Sequence, residues 1–555
     1  MSQYTPSTVG LLGAINLCLW ACTGIIEQQD SLPTQNGLPP STIPADPGNR
    51  GEPPITEQEC LDQAETLSDA ADCRGLLLGT SLDLVQGEPE YDAIVDREFN
   101  TITPGNYLKW GPLQPIRGEW NFTNADQCIE RAQARAGSPQ YVKGHTLVWY
   151  YQLPGWVDNS LTSNELSTAL HQHIQTTVTR YKGKVSSWDV VNEAMGFGTC
   201  PNQCEGQCFS GICYRDTIFS RKLGPDYIAQ AFRWAHEADP SAVLIYNEIL
   251  NAHATVAGVE RNTFLLMKKL LAENVPVHGV GLQTHINAHN APRTQDMRNT
   301  IRRFTSLGLK VNISEIDVGI RYLSGSQGEK LNTQRAVYYE MTRACLAEPG
   351  CYAFSLWGFT DKHSWIDSFY GPDDPLIFDE SYQKKPAYDG IMRALKNKPL
   401  STNYPDRIAN GGFETELSGE WSAWNGASIQ RSQITSSKGS WSLKCRPGTP
   451  GNWQCPAQFI NTATLPNQRY YRLRADLRCA QGEANSEASL QLYFKDDDGV
   501  HFITASRKTI SDQSWTTLDG RIFLSAKGAI TEAAIYAGPG GDITLFADEI
   551  SLTQY

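Results

Sequence analysis

Between Arg74 and Lys398 the chain alternates short apolar runs with stretches in which apolar residues recur every three or four positions. The runs are Gly75–Leu82, Phe99–Gly105, Tyr141–Trp149, Ser187–Glu193, Ala242–Tyr246, Gly279–His285, Lys310–Val318 and Tyr352–Phe359. Between them, Asn164–Tyr181, Pro225–Ala238, Val259–Glu273 and Thr333–Leu346 carry helical periodicity. Eight strands alternating with amphipathic helices predict an α/β fold, a (β/α)8 TIM barrel. An open doubly wound sheet would need the same alternation, but no Gly-rich phosphate turn follows the first run. Polar residues also keep one phase. Asn106, His145, Asn192, Glu193, Asn247, Glu248, Gln283, His285, Glu315 and Trp357 all fall at the C-terminal ends of runs. In a barrel those ends converge on one face, where active sites are built.

From Ile408 the pattern changes to short alternating runs such as Ser489–Phe494 and Ile543–Leu552, with Gly, Asn and Asp turns between them. No helical period appears, and an all-β sandwich is predicted for 408–555. The catalytic barrel is placed at 57–398, with a short linker at 399–407. At the other end, Val9–Cys22 is an apolar run of 14 residues broken only by Asn16, too short to span a bilayer and of the length of a signal-peptide core. Residues 1–22 are read as a leader ending in Leu-Trp-Ala-Cys22, which resembles the lipobox of bacterial lipoproteins. On that reading Cys22 carries lipid, although residues 1–8 hold no Lys or Arg and Trp20 is bulky. Residues 23–56 form a Pro-rich linker, with seven prolines between Leu32 and Pro54.

Charge removes one class of function. Forty-seven Lys and Arg against 60 Asp and Glu leave a net charge of −13 with no basic run, which excludes nucleic acid as the main partner. Twelve cysteines beyond Cys22 make an even set, expected to form disulfides in an exported chain. Cys60–Cys73 and Cys345–Cys351 are expected local pairs. Cys200, Cys204, Cys208 and Cys213 form two further disulfides in an order the sequence leaves open; a zinc site is the alternative, against the usual C-x2-C spacing.

Two strand-end carboxylates, Glu193 and Glu315, suit the cleavage of a glycosidic bond. One carboxyl group protonates the leaving oxygen while the other stabilises the oxocarbenium-like centre. The fourth and seventh strands face one another across a barrel mouth, so their separation in sequence is no obstacle.

These blocks resemble glycoside hydrolase family 10, the xylanases. They are Gly144-His-Thr-Leu-Val-Trp149, Gln152-Leu-Pro, Trp188-Asp-Val-Val-Asn-Glu-Ala194, Gly279-Val-Gly-Leu-Gln-Thr-His-Ile286, Ile313-Ser-Glu-Ile-Asp-Val318 and Trp357-Gly-Phe-Thr-Asp-Lys-His-Ser-Trp365. The resemblance implies retaining endo-hydrolysis of β-1,4-linked xylan and xylo-oligosaccharides without a catalytic cofactor. Glu193 would be the acid/base and Glu315 the nucleophile. Asn192 would bind the 2-hydroxyl of the −1 sugar and His285 would hold Glu315. Asn106, Lys109, His145, Trp149, Gln152 and Gln283 would serve the substrate subsites, and Trp357 and Trp365 would wall the glycone sugars.

Three departures stand out: Gly105 where the family has a −2-binding Glu, Tyr150 where a His commonly follows the Trp, and the four-cysteine insertion Thr199–Tyr214. Gly105 opens an alternative, a preference for short xylo-oligosaccharides or aryl β-glycosides. A third reading, a silent binding protein on a barrel scaffold, conflicts with intact Glu193, Glu315, Asn192 and His285.

Asn410-Gly-Gly-Phe-Glu414 and Phe546–Leu552 resemble carbohydrate-binding modules of the family 4, 9 and 22 type. That resemblance implies a structural calcium near Glu414 and Asp548, and Trp424, Trp453 and Tyr493 are candidate sugar platforms. The expected location is the bacterial cell envelope, lipid-anchored in the outer membrane, or outside the cell. Any membrane contact would run through Cys22 alone.

Overall fold

The structure, a computed structural model, describes residues 56–400, 406–423, 426–446, 448, 456–539 and 543–554. The leader, Cys22, the Pro-rich linker, Trp424 and Trp453 lie outside these residues.

Eight parallel strands close the barrel: β1 (Leu77–Leu82), β2 (Thr101–Pro104), β3 (Tyr141–Val148), β4 (Ser187–Asn192), β5 (Val243–Glu248), β6 (Gly279–Leu282), β7 (Lys310–Gly319) and β8 (Cys351–Leu356). Each pairs with the next, and β8 returns to β1 through Leu77↔Ala353. The predicted helices surround them. Ser163–Arg180 starts where Thr162 accepts a hydrogen bond from the Glu165 amide while Glu165 reaches back to Thr162, a reciprocal cap. Leu166, Leu170, Ile174 and Val178, spaced by four, form its buried stripe. Gly144 on β3 is there for space, since a Cβ would lie 2.2 Å from the Trp188 ring on β4. Among the described residues no helix is long and apolar enough to cross a membrane.

After β4 the insertion folds as a hairpin, Gln207–Phe209 against Ile212–Tyr214. Disulfides Cys200–Cys208 and Cys204–Cys213 close it, which settles the pairing and commits these sulfurs to each other rather than to zinc. Cys60–Cys73 and Cys345–Cys351 form as expected, and Cys445 is also disulfide-bonded. The expectation of complete pairing fails at Cys128 and Cys479, which are free and buried. Cys128 lies in the barrel core on the inner side of helix Thr123–Ala134, and burial pushes its thiol up to about 12. Cys479 sits in the separate core of the sandwich. Each behaves as a small apolar side chain, out of the other's reach.

The C-terminal region is the predicted sandwich of two five-stranded antiparallel sheets. One sheet docks on the barrel. Along the strand Arg469–Cys479, Tyr471 points into the sandwich core while Tyr470 joins the barrel's apolar cluster. The Tyr470 hydroxyl accepts from the Ala291 amide at 3.1 Å, and Arg521 lies 4.2 Å over its ring while donating to the Pro292 carbonyl. Arg469 pairs with Glu329 at 3.2 Å and donates to the Ser324 carbonyl. The sandwich therefore braces the loops that follow β6 and β7.

Candidate active site

Glu315 lies on β7, only 4% exposed, and each of its oxygens has its own partner. The Asn247 amide donates to Oε1 at 2.5 Å, and His285 Nε2 lies 3.3 Å from Oε2. On its other side His285 Nδ1 meets Asp317 Oδ2 at 2.8 Å, and the Trp365 indole N–H donates to that same oxygen. Burial alone would push His285 down, but the two carboxylates outweigh it and raise the imidazole to about 10. Burial alone would likewise raise Glu315. The His285 hydrogen bond, with the charges of His145, His285 and Lys143, brings it down to about 2 instead. At neutral pH this is an ionised carboxylate beside an imidazolium, as a nucleophile requires. His145, Asp189 and Glu315 bring three metal-capable donors together, but Lys143 already supplies a cation there, 2.6 Å from Asp189.

Glu193, 8% exposed, follows β4 with φ 56°, in the left-handed region where non-glycine residues are rare. Its surroundings hold that conformation. The Glu193 amide donates to Asn247 O, the Ala194 amide to the Tyr246 hydroxyl, and the Met195 amide to Glu248 Oε2. Burial pushes Glu248 up to about 7, with the nearby Glu193 charge adding to it. Gln283 donates to Glu193 Oε1 at 2.9 Å and Asn192 donates to the same oxygen at 3.1 Å. The Asn247 amide bridges Asn192 Oδ1 and Glu315 Oε1, so side-chain amides link the two glutamates across the mouth. Gly281 makes room for this bridge, since a Cβ there would lie 2.0 Å from Asn247 Oδ1.

The subsite residues converge as well. Lys109 Nζ donates to Asn106 Oδ1 at 2.8 Å and Gln152 Oε1 at 2.7 Å, and lies 4.8 Å over the Trp149 ring. Burial pushes Lys109 down to about 8. Trp357 packs edge-on against His145 and Trp365 against His285, each with centroids 5.0 Å apart. At Gly105 a Cβ would lie 3.7 Å from Asp83 Oδ1, so a carboxylate from the end of β1 already occupies that corner. Asp83 thus stands beside the position whose missing carboxylate prompted the short-substrate alternative, and that alternative is not favoured. Tyr150 lies next to Glu193 and under Arg215.

In the sandwich, Glu414 accepts from the Ser440 and Trp441 amides and Asp548 from those of Ser437 and Lys438. Both carboxylates thus grip one loop, from its two ends. Tyr493 is largely buried beneath Phe502 and Tyr536. Among the described residues the exposed aromatics of that face are Phe459 and Phe502, neither of them among the candidate platforms named from the sequence. Nor were Asn247, Asp317, Glu248 and Arg215 selected as site residues. The first and third had a signal, since they end a strand run, and Asp317 repeats the inward phase of Glu315 two residues on. Arg215 had none.

Residues 66–394 match Glycosyl hydrolase family 10, and residues 406–539 match a family described as Carbohydrate binding domain. The chain is 38% identical over 330 residues to endo-1,4-beta-xylanase B of Thermotoga neapolitana, covering 58% of this chain and 88% of that protein. It is 37% identical over 317 residues to endo-1,4-beta-xylanase A of Humicola insolens, covering 56% and 78%. Among solved structures, xylanase 10B of Thermotoga maritima superposes with a TM-score of 0.55 at 36% identity, over 60% of this chain and 98% of that one.

Proposed function

This chain belongs to glycosyl hydrolase family 10, and we propose on that premise how its own residues divide the work of an endo-1,4-β-xylanase. Glu315 attacks the anomeric carbon of the −1 xylose as Glu193 gives its proton to the departing glycosidic oxygen. A covalent glycosyl-enzyme forms and the aglycone chain leaves. Glu193, now a carboxylate, takes a proton from the water that attacks the same carbon, and Glu315 is released with net retention. Asn192 presents its amide to the −1 sugar, Asn247 holds Glu315 and Asn192 in place, His285 keeps Glu315 charged, and Trp357 and Trp365 cover the apolar faces of the sugar. The observation that carries this reading is the ionised Glu315 tied through Asn247 and Asn192 to Glu193. Glu193→Ala should cut xylan hydrolysis by about 10²–10⁴ yet spare aryl xylobiosides with activated leaving groups, which need little protonation. Glu315→Gln should lose both activities, and normal turnover in that variant would refute the assignment.

The sandwich is proposed to hold xylan on the face that exposes Phe459 and Phe502, flat aromatics suited to sugar rings, with Tyr493 and Tyr536 packed beneath Phe502. Calcium at Glu414 and Asp548 belongs to the same proposal. What supports it is that both carboxylates close on one loop; what it must accommodate is the backbone N–H donors already on each. A rise in Tm when calcium is returned to EDTA-treated protein would support it, and an unchanged Tm would remove it.

Export and lipid anchoring at Cys22 are proposed for the N-terminus, supported by the apolar run Val9–Cys22 and the disulfides of the described residues. Cys22→Ser should move the protein from the detergent phase to the aqueous phase. Unchanged partition would mean another anchor.

A further inference from the structure

The hairpin inserted after β4 does not stay at the surface. Its second strand pairs back onto the chain that leaves Glu193: Met195 bridges Tyr214, and the Gly196 amide donates to Cys213 O. That pairing sets down Arg215 beside the proposed acid/base. The Arg215 amide donates to Ala194 O at 2.8 Å, and its Nε donates to the carbonyl of Glu193 at 2.9 Å. The guanidinium stacks 4.5 Å over the Tyr150 ring, and its Nη2 lies 4.0 Å from Glu193 Oε2. The two oxygens of Glu193 therefore differ. Oε1 accepts N–H bonds from both Gln283 and Asn192, so the transferable proton belongs on Oε2, the oxygen that faces the cation.

We infer that Arg215, delivered and held by the disulfide-closed hairpin, is a positioning residue that sets both the backbone and the proton affinity of Glu193. The inference rests on Glu193 being the acid/base. A cation next to Oε2 favours loss of its proton, so Arg215 strengthens Glu193 as the acid of the first step. Through its Nε it also fixes the left-handed turn that aims the carboxyl group into the mouth. The other charged or titratable groups facing Glu193 are Lys109 after β2, Tyr150 after β3, Glu248 at the end of β5 and Glu315 on β7. All remain in place in the test.

The test is the pH profile of kcat/KM for Arg215→Gln, Arg215→Lys and Glu193→Ala in the full chain, on two aryl xylobiosides, one with an activated and one with a poor leaving group. Arg215→Gln should move the alkaline limb upward by about one pH unit, because the acid keeps its proton longer without the cation. It should also lose at least tenfold more rate on the poor leaving group than on the activated one. Arg215→Lys keeps the charge and should return the limb to within a few tenths of a unit of the native position, even if the rate stays low. A purely structural role would give an equal loss on both substrates and an unmoved limb, which overturns the inference. Should Arg215→Gln fail to fold, Arg215→Met takes its place: an unmoved limb in that variant, or a limb shifted upward by about one unit in Arg215→Lys despite its retained charge, overturns the inference. Glu193→Ala separates the two levels. If the alkaline limb persists in that variant on the activated substrate, the acid/base assignment falls. If the limb vanishes there but Arg215→Gln leaves it unmoved, only the role of Arg215 falls.

Discussion

Tyr470 is the place to test whether the sandwich is part of the barrel's fold or merely attached to it. Tyr470→Ala removes a ring that is 2% exposed and packed among barrel residues. Truncating a buried aromatic to Ala costs about 3–5 kcal/mol. The lost bond from the Ala291 amide is worth about 1 kcal/mol, and the Arg521 stack about 0.5–2 kcal/mol. These overlap, and about 4 kcal/mol of coupling is a fair total. For a unit the size of the sandwich, each kcal/mol shifts the midpoint by about 2–4 °C, so its melting should move down by about 10 °C. Calorimetry should show one transition for the native chain and two for the variant. Hydrogen exchange should report lost protection at the Ala291 amide. The braced segment follows directly from His285, so kcat on soluble xylo-oligosaccharides should also fall by a few-fold. A single transition at an unchanged midpoint would refute the reasoning and return the sandwich to the status of a tethered module.

Three further predictions concern the site. Lys109 is held down to about 8 by burial, so it loses its charge as pH rises from 7 to 9; KM for xylotetraose should rise over that interval, and Lys109→Met should be uniformly weak without the break. Asp83→Ala should lower kcat/KM on xylotriose-sized substrates about ten- to a hundredfold, the worth of a hydrogen bond to a charged group of about 1.5–3 kcal/mol. Gly105→Glu, which sets a second carboxylate beside Asp83, should bring no gain on the same substrates, and faster hydrolysis would show that Asp83 does not fill that role. Phe502→Ala should weaken retention on insoluble xylan in a depletion assay while leaving kcat/KM on xylotriose within twofold.

The barrel was legible because eight apolar runs alternate with helical patterns and all but the first end in chemistry-bearing residues of one phase, as the active-site face of a barrel requires. Glu193, Glu315, Asn192 and His285 were legible for the same reason, and their neighbours Asn247 and Glu248 carried the same mark. Arg215 and Asp83 were not. Each lies at a place built by tertiary pairing, Arg215 on a hairpin folded back on its own strand end and Asp83 beside a corner emptied on the adjacent strand. The free thiols Cys128 and Cys479 defeated the counting of cysteines, because pairing depends on which core a residue enters and not on whether the total is even. The docking of the sandwich was invisible too: in the alternating strand Arg469–Cys479, nothing in sequence tells an outward Tyr470 that meets solvent from one that meets a barrel.

Gln152, Glu193 and Thr284 all bring positive φ to loops around the site, at 52°, 56° and 60°. Each such residue costs of order 1–3 kcal/mol that the rest of the barrel must offset. At position 193 a glycine would adopt the same backbone with less strain, though without a carboxyl group. Random substitution screened for thermal survival alone should therefore drift toward sturdier, inactive chains at this position. Only selection for turnover keeps a glutamate there, so sequences chosen for stability and sequences chosen for activity part ways first at the residue after β4.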